Sequence, residues 1–210
     1  MRTEKQQWIE ILLVLLTGCL KYVLMDWLNM RAFYIVGISV FWSGYIWHRY
    51  SGHHEILKQW GYRKDNFSKS LVVLLPVMLV CIVGSAFYGI FKGKPLMNWH
   101  VLPVLLLYPV WGIVQQFMMV SLIDGNLRSL EAFKLKKYQS VLITAFIFSI
   151  VHQPYWLLMA ITFLLEVVFL LVFHTYRNLW ALGLAHGLIG TFLLFYVSNR
   201  DLWIELFAWF

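Results

Sequence analysis

Apolar residues follow one another in this chain with few interruptions, in stretches bounded by charge, Gly or Pro and close to the length a helix needs to cross hydrocarbon, about 20 residues. Seven such stretches stand out: 8–25, 32–47, 70–91, 99–123, 138–153, 155–173 and 178–197. The first is interrupted by Glu10 and Lys21, and the second is short. After the seventh, Leu202-Trp-Ile-Glu-Leu-Phe-Ala-Trp-Phe210 reads as a segment lying in the membrane interface. The pattern predicts an all-α polytopic transmembrane bundle of about seven spans, with six to eight open. Three regions follow: N-terminal transmembrane helices over 1–56, a membrane core over 57–197 and a tail over 198–210.

Composition agrees with the pattern. Hydrophobic residues are 61% and charged residues 13% of the 210, with a mean hydropathy of +0.71, against about 45–50% and about 25% in soluble domains. Disorder, collagen and disulfide scaffolds each need a composition this chain lacks. Cys19 and Cys81 both lie in apolar runs, where a thiol packs as a small hydrophobe. No signal peptide is expected, because the first apolar run lacks a small-residue cleavage site.

A net charge of +7 would suggest nucleic acid as a partner for a soluble protein. Here the basic residues crowd into alternate loops, around Arg49 to Lys69 and Arg128 to Lys137, and the positive-inside rule places those loops and the N-terminus in the cytoplasm. A multi-pass protein of the cell membrane is expected, with membrane lipid and no nucleic acid as partner. Trp8, Trp47, Trp99, Trp156, Trp203 and Trp209 fall near span ends, as an interfacial aromatic belt requires. His48, His53, His54 and Glu55 sit close together, but their spacing does not make a ligand set, and neither a metal nor a cofactor is expected. Asp124-Gly-Asn126 reads as a turn ending the fourth stretch.

Few polar side chains then remain inside the spans, and such groups are costly enough in lipid to mark function by default. They are Gln115 and Gln116, His152, Glu166 and His186. At ~1.5 Å of rise per residue, Gln116, Glu166 and His186 each lie ~12 Å from the basic end of their helices, and His152 lies ~21 Å from it. Four helices thus bring two imidazoles, a carboxylate and two carboxamides to one region, expected to be a polar cavity open toward the cytoplasmic side. A desolvated carboxylate suits a general base, and histidines can donate to an oxyanion.

Phe148-Ser-Ile-Val-His152, followed by Arg177-Asn-Leu-Trp-Ala-Leu-Gly-Leu-Ala-His186, resembles the motif order of the CPBP family of intramembrane proteases. These are relatives of type II CAAX prenyl endopeptidases, also called the Abi or lysostaphin resistance protein A-like family. The resemblance covers about 57–195 and includes the basic segment Lys58-Gln-Trp-Gly-Tyr-Arg63. It implies an endopeptidase acting on a prenylated or transmembrane peptide. His152 and His186 would stabilise the oxyanion, and Phe148 and Gly190 would stand at the substrate site. The first motif departs from the family. Gln115 and Gln116 occupy the places of paired glutamates, Val120 that of an arginine, and Gly190 that of an Asn or Asp. A glutamine cannot accept and hold water's proton at neutral pH.

The alternatives stay open at this stage. Gln115 and Gln116 read either as interhelical hydrogen bonders or as a modified active site. Glu166 reads either as a compensating base or as a structural acid paired with His174 or His186. The protein as a whole reads as a hydrolase with an altered cavity on a peptide or lipid-linked substrate. It reads alternatively as a pseudoprotease that binds lipid or a transmembrane segment, and less readily as a transporter or proton relay.

Overall fold

The computed structural model describes residues 3–95 and 98–207. Arg2 and Trp209, which enter the charge and aromatic patterns, lie outside the described residues, as does the rest of 208–210. All seven apolar stretches are helical. α1 (Glu4–Lys21) continues through a wide π turn (Tyr22–Trp27), and α2 is Arg31–Gly52. After the single turn α3 (Ile56–Gln59) come α4 (Phe67–Phe91) and α5 (Val101–Gln116). A π segment, Phe117–Asp124, carries α5 into α6 (Gly125–Ser129). α7 (Lys137–Ile150), α8 (Trp156–Tyr176), α9 (Leu179–Phe192) with a π end (Leu193–Val197), and α10 (Leu202–Phe207) complete the order.

Five of these helices are long and apolar enough to cross a membrane: Glu4–Trp27, Phe67–Phe91, Val101–Ser129, Trp156–Tyr176 and Leu179–Val197. α2 has the length, 22 residues, but lower hydropathy. α7 has 14 residues, or ~21 Å of helix, which falls short of a hydrocarbon core ~30 Å thick.

The turn expected at Asp124-Gly-Asn126 is instead helix, which continues to Ser129. Tertiary partners take the side chains that would otherwise fold back on a turn. Asp124 Oδ1 accepts from Ser140 Oγ at 2.7 Å, and Oδ2 lies 2.7 Å from His174 Nε2. Asn126 Nδ2 donates to Glu10 Oε2 at 2.7 Å. With their side chains engaged elsewhere, these residues lose the local bonds that favour turns. Glu10, the charge that interrupts the first stretch, is buried. Tyr45 Oη donates to it, and Arg49 Nη1 lies 3.5 Å away.

The tail is a short helix held in place by ion pairs and hydrogen bonds. Asp201 accepts from the backbone N–H of Trp203 and Ile204 and lies 2.6 Å from His100 Nδ1. Burial opposes its charge, but bonds from His100, the Ile204 N–H and Asn98 outweigh that and hold its pKa below the ordinary carboxylate value. Arg200 forks onto Glu205 at 3.0 and 2.7 Å, and Arg31 meets the same carboxylate at 3.0 Å. Trp47, Trp99 and Trp156 face outward, whereas Trp42 and Trp60 are fully buried around Phe117.

Candidate active site

α5 and α9 position the centre of the site. Gly112, Gly183 and Gly187 let their backbones meet: a Cβ on Gly187 would stand 2.3 Å from Pro109 Cα, and one on Gly183 2.6 Å from Ile113 Cα. Gly183-x-x-x-Gly187 is the small-residue spacing that allows membrane helices to approach closely. The spacing is visible in the sequence, where its apolar surroundings make it inconspicuous beside the polar residues. At the start of α9, Asn178 accepts from the Ala181 N–H at 2.9 Å, and its amide donates to the Arg63 carbonyl and to Asn66 Oδ1. The Leu179 N–H donates to the Gly61 carbonyl. The segment 58–66 thus anchors the end of α9, two turns before His186.

Within this frame, Gln116 Nε2 lies 2.8 Å from Glu166 Oε2 and 3.2 Å from His186 Nδ1. Gln116 and Glu166 are fully buried, His186 nearly so, and the second oxygens of Gln116 and Glu166 have no partner. Glu166 reaches His186 only through the amide, and His174 is engaged by Asp124 instead. The wider π turn begins immediately after Gln116, a placement common at functional sites.

His152 lies in the turn after α7, with Nδ1 2.8 Å from the Phe148 carbonyl. The Phe148 ring stands against both imidazoles, with centroids 4.9 Å from His152 and 5.5 Å from His186. Tyr108 stacks on His186 from another side. Gly190 makes room for that ring, because a Cβ there would lie 2.6 Å from Tyr108 Cε1. The tyrosine therefore occupies the space beside the position where the resemblance expects an Asn or Asp.

Gln115, His152, His186, Phe148 and Gly190 all line one cavity of about 550 Å³. Gln116 and Glu166 do not; they lie behind His186. Among the described lining residues there is no carboxylate, and the charged side chains are Lys21 and Arg200. Burial opposes the charge on Arg200, but Glu205 outweighs it and raises its pKa above the ordinary value.

The cavity lies in the half of the bundle away from the basic loops, not at the end near them as expected. Its lining comes from residues 14–25 of α1 and its extension, from 108–119 of α5 and its extension, and from 186–194 at the far end of α9. These lie away from the basic loops, because the end near those loops is filled by Trp42, Trp60 and Phe117 and by the Asp124–His174 pair. One wall is apolar and partly exposed, with Leu15, Gly18 and Cys19 facing Phe146, Ile147 and Ile150. Tyr22 Oη to the Ile150 carbonyl and Lys21 Nζ to the Gln153 carbonyl close one end of that seam. Among the described residues, no three His, Cys, Asp or Glu side chains cluster as metal ligands.

The comparison with protein families matches residues 97–192 to type II CAAX prenyl endopeptidases, Rce1-like. The comparisons with curated proteins and with solved structures return no match. The matched segment carries Gln115, Gln116, Phe148, His152, Glu166, His186 and Gly190, and the protein is a membrane-embedded chain whose residues 97–192 are similar to type II CAAX prenyl endopeptidases of the Rce1-like kind.

Proposed function

We propose that the protein is a hydrolase that draws the apolar part of a lipidated or transmembrane peptide into its cavity and cleaves a carbonyl bond there. The observation that carries this reading is the pair of imidazoles held around Phe148 on the wall of an otherwise apolar cavity of about 550 Å³. A prenyl or acyl chain suits the seam between Leu15, Gly18, Phe146 and Ile147, and His152, His186 and Gln115 are the polar groups that a carbonyl would meet inside. The protein would sit in the cell membrane with its N-terminus cytoplasmic, so that the cavity opens toward the outer leaflet, away from the basic loops.

A second reading is favoured by one observation, the lack of a carboxylate among the described cavity-lining residues. A pseudoprotease would hold the same ligand without cleaving it. Proteoliposomes containing the full chain and a farnesylated fluorescent peptide separate the two. The hydrolase reading expects product above protein-free vesicles, with loss of about 100-fold or more in His152→Ala or His186→Ala. Saturable binding with no product in the wild type would favour the pseudoprotease, and undiminished cleavage in both variants would rule out this site.

A further inference from the structure

The two histidines of the cavity are bound through the same ring nitrogen to partners of opposite character. Gln116 Nε2 lies 2.8 Å from Glu166 Oε2. The amide nitrogen is thus placed between the two side chains: its NH2 group donates one hydrogen to Glu166 Oε2 and has its second for His186 Nδ1, 3.2 Å away. His186 Nδ1 must then accept, and a neutral imidazole that accepts at Nδ1 carries its proton on Nε2. His152 Nδ1 lies 2.8 Å from the Phe148 carbonyl, which also only accepts. His152 therefore carries its proton on Nδ1 and leaves Nε2 bare.

We infer that Glu166 and Gln116 are positioning residues that hold His186 as a hydrogen-bond donor toward the cavity, while the Phe148 carbonyl holds His152 as an acceptor. Neither Glu166 nor Gln116 lines the cavity, so neither touches the ligand. The remaining ring nitrogens present one N–H and one lone pair from side chains that both pack on Phe148. That pairing selects a neutral carbonyl accompanied by a donor such as water. It disfavours a phosphate or carboxylate, whose charge would face the lone pair of His152.

The inference rests on the proposed hydrolysis for its chemical meaning. In that reaction water gives its proton to His152 Nε2 as its oxygen bonds to the carbonyl carbon, and the carbonyl π pair moves onto the oxygen that accepts from His186 Nε2–H. The bond to the leaving group then breaks, and the leaving group takes the proton from His152.

The test reads protons rather than turnover, so it fails or succeeds separately from the proposed activity. The full chain, labelled with 15N-histidine in lipid nanodiscs at pH 8, is studied by NMR, with His152→Gln and His186→Gln used for assignment. The expected result is His186 protonated on Nε2 and His152 on Nδ1. Gln116→Glu places a carboxylate against His186 Nδ1 and is expected to move that proton from Nε2 to Nδ1 without changing His152. Wild-type spectra with His186 protonated on Nδ1, or with both histidines in one tautomer, overturn the inference. So does an unchanged His186 in a folded Gln116→Glu variant. If that variant does not fold, the wild-type spectrum alone decides.

Discussion

The end of the bundle near the basic loops and the end that holds the cavity are made by the same helices, yet they dispose of polar side chains differently. Near the loops, Asp124 is shared between Ser140 and His174, and Glu10 between Tyr45, Arg49 and Asn126. Each of these carboxylates has a cation or several donors beside it, and each bond crosses from one helix to another. At the cavity end, Gln115 Oε1 has no partner, and His152 and His186 each have one ring nitrogen engaged through hydrogen bonds and the other left for the cavity. Polar groups in the first set fasten helices together. Those in the second set are positioned by neighbours but held back from full pairing, as expected where a ligand completes the set.

The strongest way to break this contrast is to separate the helices that both ends depend on. Gly187→Leu drives a side chain into Pro109; a loss of more than about 4 kcal/mol is expected, read as absence of a monodisperse folded peak after detergent extraction. Next comes Asp124→Ala, which leaves His174 and Ser140 without their shared hydrogen-bond partner in the buried interior. A cost of about 1–3 kcal/mol is expected, visible in thermal unfolding, while the ligand affinity of the folded fraction stays within about twofold. A different result is expected at the cavity mouth. Gly18→Phe, where a Cβ meets only Val151 at 3.4 Å, should change stability by no more than about 1 kcal/mol yet weaken uptake of a farnesylated peptide about tenfold or more, measured by fluorescence quenching.

Smaller effects sharpen the boundary. The depressed pKa of Asp201 means that its contribution to the tail is complete above the unfolded carboxylate value, about 3.9, and is lost as pH falls through its lower folded value. Trp203 fluorescence should accordingly hold steady from neutral pH to about 4 and change only below that. Leu106→Ala, on an outward-facing position 79% exposed, should stay within about 0.5 kcal/mol of wild type.

Much of the fold was legible because lipid leaves few options: a long apolar stretch must satisfy its backbone within itself, so the seven stretches are the helices. The end of α5 was not legible, because Asp124 and Asn126 look like turn residues until their partners on α1, α7 and α8 are known. Helical rise alone brought Gln116, Glu166 and His186 to one level, and the structure links them through hydrogen bonds. Rise does not specify rotation about the helix axis. Consequently the sequence could not show that Gln115 lines the cavity while Gln116, its neighbour, turns away to Glu166. Which half of the bundle holds the cavity depended on where Trp42, Trp60 and Phe117 pack, and hydropathy does not distinguish a buried tryptophan from one in the interfacial belt.

What is proposed for this protein requires the half-paired end of the bundle to be a working site. Cleavage of a farnesylated peptide by the full chain in proteoliposomes tests it most directly, with His152→Ala, His186→Ala and Asp124→Ala compared on folded protein. Product is expected from the wild type, with a loss of about 100-fold or more in either histidine variant and retained cleavage by whatever Asp124→Ala protein remains folded. Equal rates in the wild type and both histidine variants, or wild-type product no greater than from protein-free vesicles, would contradict it.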